Sequence, residues 1–145
     1  MVGPRRTSVK ASLVLTLLAG CFWHSYGRLA ATHVDVLLGM ARKGVDLVAN
    51  GRFTAESMPE LTYPLERARA FAESAHARAS GTPPESLTAF DALLGRYQVL
   101  IDAVDRARRT ERPEAARHAL EPQLAAVEAA GAAVRAALQR EGRIR

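Results

Sequence analysis

Between Leu87 and Val104 the apolar side chains Leu87, Phe90, Leu94, Tyr97, Ile101 and Val104 recur at alternating steps of three and four residues. A strand would scatter this set over both of its faces, whereas a helix of 3.6 residues per turn gathers all of it on one stripe, so the segment can bury these groups together only as an α-helix. Three further segments repeat the pattern. From about Leu29 to Asn50 the stripe is Ala30, Val34, Leu37, Ala41, Val45 and Val48, with Asn50-Gly51 as the stop. After Phe53 come Leu61, Leu65, Ala68, Ala72, Ala75 and Ala79, with Ser57 and Glu60, or Thr62 ahead of Pro64, as capping groups and Pro64 placed in the first turn. The Leu87 helix opens at Thr82-Pro83-Pro84-Glu85, a capping-box arrangement. The last segment starts near Pro113, where Glu114 suits the positive helix end, and carries Ala116, Leu120, Leu124, Val127, Gly131, Val134 and Leu138 up to Gly142, with a bend or restart expected at Pro122. No β alternation competes. Four such stripes joined by short connections predict an all-α, up-and-down antiparallel four-helix bundle over residues 29–145, with Gly44, Gly131 and the alanines allowing close approach.

Charge narrows the function classes. The chain has 20 Lys and Arg against 15 Asp and Glu, a net charge of +5. Arg5, Arg6 and Lys10 account for most of that excess, and from Cys21 onward 17 basic residues face 15 acidic ones. With that near balance, no finger spacing and no basic strands interleaved with aromatics, nucleic acid is not an expected partner. Only two lysines, Lys10 and Lys43, stand among the basic residues, which reads as genome composition. Cys21 is the only cysteine, so neither an internal disulfide nor a cysteine-based zinc site is available.

The first 20 residues have the layout of a secretory signal: a basic start through Lys10, an apolar run from Ala11 to Gly20, and Cys21 at once after it. Leu18-Ala19-Gly20-Cys21 resembles the lipobox of bacterial lipoproteins. That resemblance implies signal-peptidase recognition through Leu18, Ala19 and Gly20, cleavage before Cys21, and a lipid on its thiol. It leaves 125 of the 145 residues for the mature domain. A cysteine in an uncleaved anchor is the alternative. The apolar stretch from Ala11 to Trp23 is shorter than the roughly 20 residues a spanning helix requires. Arg5-Arg6-Thr7-Ser8-Val9-Lys10 more loosely resembles a twin-arginine export signal, with Ser8 where an apolar residue belongs, so the export route stays open. By the same lipoprotein resemblance, Phe22 in place of an aspartate after the cysteine implies an outer-membrane destination on the periplasmic face. Residues 21–28 then form a short linker in which Phe22, Trp23 and Tyr26 suit the headgroup layer or pack on neighbouring helices.

Chemistry-bearing residues were sought on the helical stripes. Glu73 and His76 have the Glu-x-x-His spacing of di-iron bundles, but they flank the Ala72–Ala75–Ala79 stripe and no second copy of that spacing exists. Glu114 and His118 also fall off their seam. His33 or His118 with Met40 or Met58 form no facing pair for haem, and no Cys-x-x-Cys-His, Gly-x-Ser-x-Gly or phosphate loop occurs. Tyr97 is the most interior polar group, its hydroxyl expected at solvent or a carbonyl near a helix boundary. No cofactor, metal or catalytic residue is therefore assigned. The expectation is a non-enzymatic envelope lipoprotein that binds another envelope protein or stabilises an assembly; the alternative is a carrier holding a small ligand, haem or metal between its helices. Threading the bundle from Cys21 places Gly81 to Pro84 and Arg140, Arg143 and Arg145 at the membrane end. Arg52, Phe53, Met58, Arg106, Arg108, Arg109 and Arg112 fall at the opposite tip, as a candidate partner-binding surface for an acidic protein. Arginines that merely complement a helix C-terminus are the competing explanation.

Overall fold

The structure, a computed structural model, describes residues 8–110 and 112–145, with side chains from Gly20 onward apart from positions 110 and 111. Four helices follow one another: α1 (Ser8–Ala49), α2 (Met58–Arg78), α3 (Glu85–Thr110) and α4 (Pro113–Arg140), with a single 3₁₀ turn, Ala55–Ser57, leading into α2. They form the up-and-down bundle, in which α1 packs on α2, α3 and α4 and α3 packs on α2 and α4. Helices α2 and α4 occupy the long diagonal and do not touch among the described residues. The signal's basic start at Arg5 and Arg6 lies outside the described residues, as do the side chains of Lys10, Leu18 and Ala19.

The core is the set of stripes read from the spacing, from Ala30 on α1 to Leu138 on α4, closed by Leu93 and Leu100 on α3. Alanines on α2 at positions 68, 72 and 75 are buried, so this helix lies close against its neighbours with little side-chain bulk. Gly44 and Gly131 serve the same end. A Cβ at Gly44 would lie 3.0 Å from the Leu61 methyls, and one at Gly131 would lie 3.1 Å from those of Leu38. Exposed ion pairs tie helix to helix at the surface: Arg42 to Glu128 at 2.7 Å, Lys43 to Glu60 at 2.6 Å, and Arg135 to Asp35. Each is worth about 0–1 kcal/mol, so they tune register and leave the stability to the seam.

Helix boundaries differ from the spacing-based reading at several points. Residues 21–28, expected as a linker, are helical and continuous with the rest of α1, because the core stripe extends one turn upward through fully buried Tyr26. Gly27 does not break the helix there. Its missing Cβ admits the backbone of Arg143, whose carbonyl oxygen a Cβ would meet at 2.5 Å. Pro64 sits in the second turn of α2, not its first, since the helix already begins at Met58 with Pro59 at its start. Ser57 turns its hydroxyl back to the Thr54 backbone N–H, 3.2 Å away, and does not cap α2. Pro122 leaves α4 unbroken, and Leu124 is only partly buried though packed on the core. Ala79 closes α2 as a half-buried cap residue outside the core stripe.

Candidate functional site

Two ends of the bundle collect the functional candidates. At the first end, Cys21 is exposed with a free thiol, and Gly20 before it has open space where a Cβ would be. Phe22 and Trp23 follow as the first side chains to pack on the core. Tyr26 stacks on Phe71 of α2 with ring centroids 5.6 Å apart, and Trp23 lies 4.8 Å from Tyr26. The Arg143 guanidinium lies over both Trp23 and Tyr26 at 5.1 and 5.0 Å, while Arg78 covers Phe22 at 4.8 Å. Tyr26 is therefore wholly taken up in packing on the neighbours of α1, while Phe22 and Trp23 pack there with part of each ring left exposed.

Beneath the aromatics runs a polar clasp. Arg143 comes back toward α1 because Gly142 takes φ +67°, the left-handed value a glycine adopts freely, and the Arg143 N–H reaches the Leu138 carbonyl at 2.9 Å. The Glu141 carboxylate then accepts the Ser86 backbone N–H at 2.8 Å, the Ser86 hydroxyl at 2.7 Å and the Arg143 Nε at 2.8 Å. Ser86 is the second residue of α3, so the carboxylate satisfies a donor that the helix itself cannot. The Tyr26 hydroxyl, 3.2 Å from Ser86 Oγ, completes the chain. Partial burial works to raise the Glu141 carboxyl, but the Ser86 bonds and the Arg143 charge outweigh it and hold the group below its ordinary range. Burial pushes the Tyr26 phenol up. Ser86 is fully buried beside the Tyr26 hydroxyl, and spacing did not single it out.

Along the α1–α2 flank, His33 packs on Phe71 with centroids 4.9 Å apart, and burial, aided by the Arg67 charge, lowers its pKa. His76 and Asp91 pair at 2.7 Å at the surface beside exposed Glu73, and His118 is exposed on α4. No group of three or more metal-ligating side chains comes together among the described residues. The Tyr97 hydroxyl donates to the Leu61 carbonyl at 3.1 Å, the carbonyl in an early turn of α2, and burial raises its pKa strongly. No family model, curated protein or solved structure matches the chain.

The opposite end gathers the seven residues singled out for a partner. Phe53, Arg108 and Pro113 border a hollow of about 90 Å³ with Val48, Gly51 and Ala107. Phe53 and Met58 are half-buried and pack on the core. Arg108 and Arg109 share the Asp105 carboxylate, Arg108 at 2.6 Å. Desolvation works to raise that carboxyl, but the bond and charge of Arg108 and the charge of Arg109 prevail and lower it. Arg52, Arg106 and Arg112 are exposed at the same tip, and the Arg112 carbonyl accepts the Ala116 N–H at 2.8 Å at the start of α4. The seven therefore share one end, where Asp105 engages Arg108 and Arg109 within α3.

Proposed function

We propose that the chain is a membrane-anchored envelope lipoprotein, lipidated on Cys21 and facing the periplasm, with an outer membrane the favoured site. Its bundle acts as a non-enzymatic interaction or structural module. The observation that carries the reading is the exposure of Cys21: its thiol is free at the aromatic end of the bundle, directly before Phe22 and Trp23, which pack on the core. No helix of the described chain is long and apolar enough to cross a membrane, so attachment through acyl chains on one cysteine is the economical anchor. A seam of leucine, alanine and aromatic side chains, with every buried side-chain polar atom bonded among the described residues, supports packing as the purpose of the interior, in preference to the carrier alternative.

The test is metabolic labelling with an alkyne fatty acid in a bacterial host, followed by mass spectrometry of the mature N-terminus. Wild-type protein is expected to carry label on a peptide beginning at Cys21, and Cys21→Ala to remain unlabelled and unprocessed. Unlabelled wild-type protein that retains residues 1–20 sinks the anchoring claim.

A further inference from the structure

The Cys21 end combines aromatic and basic side chains with an uncharged loop. That loop, from Ala79 to Pro84, contains no charged residue, and the acidic side chains around it are engaged: Glu85 by Arg140 at 2.6 Å, Glu141 by Arg143 at 2.8 Å and Asp91 by His76 at 2.7 Å. Arg78 and Arg145 are exposed and have no carboxylate partner among the described residues; Arg78 instead bonds the Ser74 carbonyl at 3.0 Å and covers Phe22. Between the loop and α1 lies a hollow of about 220 Å³ lined by Trp23, Ala79, Ser80, Thr82, Pro84 and Arg143. It presents hydroxyls, an indole edge and a guanidinium, the donor set that suits a phosphodiester.

We infer that this end is a docking face for the phosphate headgroups of an anionic bilayer, with Arg78 and Arg145 supplying charge and the exposed parts of Phe22 and Trp23 at the headgroup level. The inference rests on the anchored reading of Cys21, which brings this end of the rod to the lipid surface. Aromatic rings with one polar edge and arginines with long apolar stems are the side chains best satisfied at that depth. The occupant is a lipid and not an acidic protein because the charged groups surround the point of anchoring. Every copy held by lipid on Cys21 meets headgroups there before it meets any other molecule. The hollow then orients the bundle relative to the bilayer, and the acyl chains supply retention.

The experiment uses residues 21–145 with Cys21→Ser, which hold every described core residue, so that neither lipid nor the basic and apolar residues 1–20 contribute to binding, and failure of the lipoprotein reading is scored separately by the labelling test. Trp23 is the only tryptophan, and its fluorescence reports binding to vesicles directly. Vesicles of pure phosphatidylcholine are compared with vesicles containing about a third phosphatidylglycerol at low salt. Tighter binding to the anionic vesicles is expected, and Arg78→Gln with Arg145→Gln is expected to remove about thirtyfold of that preference, at roughly fivefold per arginine near the surface. Neither residue belongs to the Glu141 clasp, so the pair should leave the melting temperature unchanged. The same change at the far end, Arg52→Gln with Arg112→Gln, should leave the preference intact, and about 0.5 M salt should abolish it. Equal binding to both vesicles, or a preference lost equally from either end, overturns the proposal.

Discussion

At the scale of single residues, Glu141 and Ser86 tie the ends of three helices together, reaching α1 through the Tyr26 hydroxyl. Ser86→Ala removes the hydroxyl donor to Glu141 and the partner of the Tyr26 hydroxyl, a loss of about 1–3 kcal/mol measurable by urea denaturation. The sign of the pH effect follows from the lowered Glu141 carboxyl. Its contribution is complete above the unfolded value near 4.5 and is lost as pH falls through the still lower folded value. His33 adds an earlier step: with its pKa lowered from 6.5, the unfolded chain takes up the proton first, so stability declines as pH falls from about 6.5 and levels off below the folded value. Thermal melts between pH 8 and 3 should show both declines. Glu141→Gln should reduce the acid limb, which the lowered Asp105 carboxyl shares, and His33→Gln should flatten the limb nearer neutrality; unchanged profiles in both variants would mean that neither group titrates differently on folding.

Among the helices, α3 is the most fully buried stripe and α2 the thinnest, and substitutions should rank accordingly. Ile101→Ala empties a buried position on α3 and is expected to cost about 2–5 kcal/mol. Leu124→Ala should cost clearly less, since that side chain is half-exposed beside Pro122. Exposed Arg69, which donates to Gln98 at 2.8 Å, should tolerate alanine within about 0.5 kcal/mol. Pro122 is exposed inside a continuous helix, where proline removes a backbone donor. Pro122→Ala is therefore expected to stabilise by about 1–3 kcal/mol, read as a raised denaturation midpoint. A lowered midpoint would show that α4 depends on the geometry the proline imposes.

For the molecule as a whole, the antiparallel thread gives the rod two unlike ends, one aromatic with Cys21 and one rich in arginine. With Arg108 and Arg109 held by Asp105, a protein partner at the far tip has Arg52 and Arg112 to meet first. Reversal of these two to glutamate should abolish crosslinked partners in the native envelope while leaving the unfolding free energy within about 0.5 kcal/mol of the parent. The same reversal of Arg108 and Arg109 should instead lower the melting temperature, because two carboxylates would then face Asp105 near a negative helix end. Unchanged crosslinks in both variants would leave the arginines as helix-end charges only.

The stripes, the number of helices, the turn at Asn50-Gly51 and the off-seam position of Glu73, His76 and His118 were all legible in the sequence, because three- and four-residue spacing converts directly into a helical face. The threading was legible too, since short connections force neighbouring helices antiparallel and so place the loop at Gly81 and Arg143 beside Trp23. Helix ends were less so. Nothing local says that 21–28 stays helical; Tyr26 is buried there only because Phe71 and Ser86 arrive from other helices. Pro64 and Pro122 stand inside helices because packing of the whole face outweighs the one donor each lacks. The clasp of Ser86, Glu141 and Arg143 left no trace in the spacing, because its members are 55 residues apart and it depends on a left-handed glycine that swings one side chain back across the bundle. Periodicity along the chain therefore determined which faces are apolar, and tertiary packing decided which polar groups those faces would bring together.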